Sequence, residues 1–232
     1  MNIERVIEFV SFNNDDLDAA VTELKGITSD KNRKHLQRLV YTNMADRFDS
    51  MVDHTLLDNA IEEPLITEAL AKYTEPVPEG KLLKLLAMED TSEYVKQRAK
   101  EYVRESVLRK RHSQKLEKLL NLFCPDVNVV NKPRVNINTG KIANTFKPPN
   151  NKTPSSICGF ADWTYSRRNS VVHGAGGTKL LKNDVAKLKS LYKANPALTV
   201  KISIGSITTA AQFYHSVTYL LAESVDRLDI FG

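Results

Sequence analysis

Between residues 31 and 60, apolar side chains recur at three- and four-residue steps: Leu36, Leu39, Val40, Met44, Phe48, Met51, Val52 and Leu56. That period puts them on one flank of an α-helix of about eight turns, the longest stripe in the first half of the chain. We take it as a central helix. Upstream, Ile3, Val6, Ile7 and Val10 share one face, and Leu17, Val21 and Leu24 continue it after the NNDD interruption until Gly26 closes the segment. Downstream, Pro64 suits the first turn of a short helix, and TEPVPEG breaks the chain. The stretch from 93 to 123 predicts a second long helix, with Tyr102, Val103, Leu116, Leu119 and Phe123 on its apolar side and mostly Lys and Arg opposite. After 154 come a helix ending in HG, a short helix in KLLKNDVAKLKSLYK, an extended segment in ALTVKISIGS and a closing helix in ITTAAQFYHSVTYLLAESVDRL. With six to eight helices, no βαβ rhythm and no internal repeat, the pattern fits an all-α bundle with at most a short β segment.

At 232 residues, 41% hydrophobic and 26% charged, the chain can build one large core or two small ones. No apolar run nears the roughly 20 residues a membrane-spanning helix needs. MNIERVIEFV carries two acids and a base where a signal peptide would be apolar. These features predict a cytoplasmic protein with no membrane partner. Cys124 and Cys158 lack metal-site spacing and disulfide density, so they are read as reduced, packed thiols. Neither a metal site nor a cofactor is expected.

Charge is unevenly spread. Of 33 basic and 28 acidic residues, 10 and 19 lie in the stretch ending at Glu93, leaving 23 against 9 beyond it. From Val127 to Ala161 there is no acid, while Lys132, Arg134, Lys141, Lys147 and Lys152 are present. Such a field attracts polyanions, because neutralised phosphates release condensed counterions. Solubility, or a basic face matched to an acidic face of another subunit, explains it equally well. Residues 124 to 154, with five of the nine prolines, read as a mobile basic loop or a short strand excursion in VNVVNK and RVNIN.

The segment RRNSVVHG, 167 to 174, carries the chemistry. On a helix Tyr165, Asn169 and His173 form one stripe, and Arg168 lies about 100° round from Asn169. A guanidinium fork for phosphate oxygens, an imidazole that moves protons near neutral pH and an orienting amide suit phosphodiester cleavage. The 2′-hydroxyl of RNA attacks its own phosphate when a base, charge stabilisation and an acid are supplied, with no metal needed. One histidine does not readily act as base and acid in one event, so a two-fold dimer bringing two copies of Arg168 and His173 together is attractive. Gly174 serves as a left-handed helix stop, and the GAGG glycines let backbone approach a ligand.

RNSVVHG, Arg168 to Gly174, resembles the Arg-polar-x-x-x-His signature of the HEPN superfamily, whose catalytic members are helical, dimeric, metal-independent endoribonucleases of toxin-antitoxin, phage-defence and CRISPR systems. The resemblance implies a single HEPN-like domain over 1–232, an up-and-down bundle with an insertion over roughly 75–154. It also implies Arg168 and His173 as catalytic residues, with Asn169 positioning them, RNA as substrate, a homodimer, and a neutralising antitoxin or defence-system partner. Arg168 is preferred to Arg167 for the cleft because Asn169 follows it.

Tyr165, Arg167, Gly174, Lys132, Arg134 and Lys141 are candidate substrate contacts. Trp163 is read as core. His215 is read as a satisfied core histidine and His112 as a surface residue of the basic helix, while Asp46 and Asp49 are read first as solvated helix acids able to support the site from a neighbouring face. Arg47 and His54 repeat the Arg…His arrangement inside the long helix and are taken as accidental. GAGG follows a helix, so it is no Walker or dinucleotide loop. The alternative to an enzyme is a non-catalytic helical module that binds RNA or protein.

Overall fold

The computed structural model describes residues 1–72, 78–87, 91–125, 132–174 and 177–231. Its helices are α1 (Glu4–Asn14), α2 (Asp16–Gly26), α3 (Asp30–Asp58), α4 (Leu65–Ala71), α5 (Glu79–Leu86), α6 (Thr91–Tyr102), α7 (His112–Phe123), α8 (Ile157–His173), α9 (Lys182–Tyr192) and α10 (Ile204–Glu223). Among the described residues β structure is limited to two isolated bridges, so the all-α class holds.

The 29-residue α3 is the axis on which α1, α2, α7, α8 and α10 pack. It starts where the Ser29 hydroxyl accepts the Asn32 N–H, satisfying one donor of the first turn. Met44, Phe48, Val52 and Leu56 are fully enclosed. Leu36 and Leu39, on the same sequence stripe, are 39% and 52% exposed, so only the later turns of α3 lie inside the core. At its centre Phe48 stacks on Tyr214 of α10 at 4.0 Å, and Phe9 of α1 meets both rings edge-on. Each such pair contributes about 1 kcal/mol beyond its buried area.

The single helix expected over 93–123 is divided. After α6 the chain makes a π turn, Val103–Val107, and Arg111 is extended before α7 begins. The reason is phase. Ala99, Val103 and Val107 share one stripe, but on an unbroken helix it would run on to Lys110 and Gln114. The second apolar set, Leu116, Leu119, Leu120 and Phe123, is out of register with the first, and the break realigns it. Thus α6 packs on α4, while α7 enters the core against α8 and α3. Lys118 and Tyr102 both reach Glu68 and tie α4 to α6 and α7.

Within the basic loop, RVNIN is the strand excursion: Val135 bridges Ile142 around a turn closed by Gly140 N–H to the Asn136 carbonyl. VNVVNK lies outside the described residues except for Lys132. The turn docks on α10, where Thr209 donates to the Asn138 carbonyl and Val135 is fully buried. The extended segment in ALTVKISIGS is also present, Lys179 bridging Thr199 with bonds between Leu180 and Leu198 and between Val200 and Thr178. Ser203 caps α10, which therefore begins three residues before the ITTAAQ run. Cys158 is buried and Cys124 half-buried, both as free thiols. No helix among the described residues is long and apolar enough to cross a membrane.

Gly140 has φ +81, and a Cβ there would strike the Thr209 carbonyl and lie 2.8 Å from the Phe213 nitrogen. Gly140→Ala should therefore release the turn from α10, costing about 1–3 kcal/mol. Faster amide exchange over 132–146, with α3 protection unchanged, is the expected readout.

Candidate functional site

Helix α8 carries the sequence-predicted residues. The Ser156 hydroxyl accepts the Gly159 N–H to start it, and Phe160, Ala161 and Thr164 anchor one side in the core. Tyr41 of α3 donates to the Thr164 carbonyl at 3.0 Å. The remaining surface meets α3, α7 and α9.

Arg168 is held rather than free. Its Nε donates to Asp46 Oδ1 at 2.7 Å, the guanidinium lies 5.4 Å from the Tyr165 ring centre, and the side chain is 17% exposed. Nη1 reaches Asn169 Oδ1 at 3.4 Å, and Asn169 Nδ2 donates to Asp184 of α9 at 3.3 Å. Burial raises the Asp184 carboxyl above its ordinary range, against the Asn169 bond and the charges of Lys187 and His173. His173 thus lies within electrostatic reach of Asp184, exposed at the last position of α8. Its imidazole has no hydrogen-bond or ion-pair partner among the described residues.

Tyr165 lies against Arg168 and also stacks nearly parallel to His112, with ring centres 4.6 Å apart. His112 is therefore not a surface residue; its side chain is 3% exposed, with Nδ1 2.6 Å from Asp49 Oδ1. Asp49 also pairs with Lys115 at 2.9 Å, and Lys115 with Asp53 at 2.5 Å. Asp46 and Asp49 are consequently partnered, not simply solvated. Burial raises Asp49, but hydrogen bonds and charge from His112 and Lys115 outweigh it and hold the carboxyl down at about 2. Burial lowers Lys115, yet the two carboxylates raise it above the ordinary lysine value. Sequence reasoning misses His112 and Lys115 because both sit past the break in the expected helix. The available signal is three acids, Asp46, Asp49 and Asp53, at i, i+3 and i+7 on the buried helix.

Arg167 turns the other way. It donates to the Lys201 carbonyl at 2.6 Å and to Ser206 at 3.0 Å, with its guanidinium 4.7 Å from the Trp163 ring centre. It does not join Asn169. Arg134 and Lys141 line a separate groove of about 310 Å³ along α10 with His215 and Tyr219, sharing no lining residue with the α8 pocket described below. Lys132 lies on the same basic turn. His215 is half-buried and lowered by burial, packing edge-on to Phe231. Arg47 sits over Phe12 at 4.2 Å. Gly174 is not a left-handed stop: φ is −87 and ψ 135, and the requirement for glycine is steric, since a Cβ would run into the Ser170 carbonyl. The left-handed residue is Gly177, φ +61, while Ala175 and Gly176 lie outside the described residues.

Between α7, α8 and α9 lies a pocket of about 120 Å³ lined by His112, Tyr165, Asn169 and Asp184, with Arg111 and Lys187. Asp162 also lines it, and accepts from Ser113 and Tyr192, each at 2.8 Å. Among the described residues no three metal-ligating side chains cluster. No family model matches the chain, and neither a curated protein nor a solved structure shows significant similarity to it.

The lowered Asp49 carboxyl binds a proton less readily folded than unfolded. Its contribution to stability is therefore complete above its ordinary 3.8 and lost as pH falls through about 2. Asp49→Asn should cost about 3 kcal/mol at pH 7, where it leaves His112 and Lys115 underpaired. Urea unfolding at several pH values should show the difference from wild type shrinking by about 2 kcal/mol toward pH 2.

Proposed function

We propose that the protein is a metal-independent endoribonuclease of the HEPN type, with Arg168, Asn169 and His173 as its catalytic group. The observation that carries this reading is the arrangement on α8: a half-buried arginine fixed by Asp46, an amide bonded toward α9, and an exposed imidazole on the Asn169 stripe. A guanidinium held by a carboxylate still offers its other N–H groups to a phosphate at little reorganisation cost. The imidazole at 173 is open to solvent and can exchange a proton with the leaving oxygen. A second copy of the chain supplies the other imidazole at a two-fold site, making the active species a homodimer.

RNA is the substrate, drawn by the excess of Lys and Arg beyond Glu93. The products would be a 2′,3′-cyclic phosphate and a 5′-hydroxyl, since the attacking group belongs to the substrate. A toxin or antiphage-defence role fits such an activity, and the acidic N-terminal half is where a neutralising partner or the other subunit docks.

One observation favours the second reading, a non-catalytic helical module binding RNA or protein: the Arg168–Asp46 contact is already a complete ion pair, as a purely structural arginine would make. Cleavage of total RNA in the presence of EDTA separates the two. The enzyme should cut, and His173→Ala should lose at least ~100-fold in rate, the low end of general acid–base effects. Because residue 173 is exposed, that variant should stay folded. Intact RNA with wild-type protein, together with unchanged RNA binding by His173→Ala, would establish the module instead.

A further inference from the structure

The acid-free stretch supplies one wall of the groove along α10. Backbone contacts fix that wall: Val135 bridges Ile142, the Ala143 N–H donates to the Arg134 carbonyl, and Gly140 lies so close to Thr209 and Phe213 that no side chain fits between. Two cations stand on it. Arg134 is held by its Nε, which donates to the Ala143 carbonyl at 2.9 Å and leaves the two terminal nitrogens of the fork for another acceptor. Lys141 is exposed, and neither cation makes an ion pair among the described residues. Arg168, Lys115 and Lys118, by contrast, are matched with carboxylates. The unmatched charge is therefore gathered at this groove.

The two cations stand toward opposite ends of it. Lys141 follows Gly140, which abuts Thr209 and Phe213, whereas the charges of Arg134 and Glu223 both reach the Cys124 thiol, and Glu223 is the last residue of α10. Between them the groove is lined by Gln212, His215 and Tyr219. From Gln212 to Glu223 the helix rises about 16 Å, room for about four nucleotides of a stacked strand at roughly 3.4 Å each. Tyr219 is 39% exposed, and Phe231 packs against both Tyr219 and His215 with ring centres 5.3 and 5.1 Å apart. Those contacts hold the rings in place. Spaced cations with an exposed aromatic ring between them suit a strand that offers phosphates and unpaired bases together. An acidic protein segment would match the cations and leave the rings unused. Glu223 accepts only, so it keeps phosphates to the loop side and can take a base amino group.

We propose that this groove binds single-stranded RNA, with phosphates on Arg134 and Lys141 and a base stacked on Tyr219. It is not where the strand is cut. Helices α8 and α10 run antiparallel, Phe160 meeting Phe213 and Arg167 meeting Ser206. His173 lies past Arg167 on α8 and Gln212 past Ser206 on α10, in opposite directions, so the two are about 18 Å apart along the bundle. Within one subunit the groove thus grips the strand several nucleotides from the scissile bond. Its part in cleavage rests on the ribonuclease reading; its binding chemistry does not.

Binding is measured by fluorescence anisotropy with a labelled, unstructured RNA of about twelve nucleotides, longer than the groove, on His173→Ala protein so that the RNA stays intact. Adding Lys141→Ala should weaken binding about fivefold and lower the slope of log affinity against log salt by about 1. Tyr219→Ala should weaken it about tenfold, and Tyr219→Phe, which keeps a ring, should restore it. Lys25→Ala removes the same charge at the end of α2 and should leave affinity within about twofold. Equal binding by Tyr219→Ala and Tyr219→Phe, a Lys141→Ala effect no larger than that of Lys25→Ala, equal affinity for the same RNA paired with its complement, or no binding at all overturns the groove. Should Tyr219→Ala fail to fold, Lys141→Ala on the exposed turn and the duplex comparison decide alone. Cleavage by the wild type is read separately: RNA held in the groove and never cut removes the nuclease and keeps the groove, whereas cutting by a protein whose RNA affinity ignores Tyr219 and Lys141 does the reverse.

Discussion

Three carboxylates on one face of α3 organise the molecule. Asp46 takes Arg168 from α8, Asp49 takes His112 and Lys115 from α7, and Asp53 shares Lys115. Of these the Asp49 pairs with His112 and Lys115 are the enclosed ones; such a pair adds little net stability over an apolar substitute, but removing one partner strands a charge at about 3–5 kcal/mol. The acid row thereby sets the rotation and height of α7 and α8 against α3 more sharply than apolar packing alone. Leucine and valine tolerate a shifted neighbour, whereas a carboxylate at hydrogen-bond distance does not.

That constraint reaches the candidate site through Tyr165. One carboxylate fixes Arg168 near the ring and the next fixes His112 in a parallel stack on it, so a cation, an aromatic ring and an imidazole share one framework. Asn169 extends it to Asp184 on α9, and the exposed His173 comes one turn later. The first two members of the α8 stripe are therefore bonded or stacked to neighbouring helices, while the imidazole at the helix end is exposed.

Much of the architecture is legible from spacing. The helix expected over 31–60 from its apolar stripe is α3, Asp30–Asp58, and the helix expected to end at HG is α8. The helix over 93–123 is not legible as two, because both halves carry apolar residues at helical steps and only their relative phase betrays the break. His112 is misplaced for the same reason: next to Arg111 and Lys110 it reads as one more member of a basic surface, and its burial depends on where α7 restarts. Gly174 reads as the commonest kind of helix-ending glycine, but the Ser170 carbonyl, not a left-handed torsion, excludes a side chain there. Arg168, preferred because Asn169 follows it, is the arginine that reaches Asn169, and Arg167, a 100° step away, turns to the Lys201 carbonyl.

Periodicity, caps and charge composition are properties of neighbouring residues. They suffice for the helical class, the long axis of the bundle, the basic character of the second half and the stripe Tyr165, Asn169, His173. Two partners around that stripe, Asp46 and His112, come from segments more than fifty residues away, and no local pattern specifies them. It takes the packed chain to bring Arg168 to Asp46, to give Arg167 to the Lys201 carbonyl, and to lay His112 beneath Tyr165 with one nitrogen bonded and the other bare. Such pairings depend on the angle and register at which three helices cross, which the core volume and the α3 acids set together.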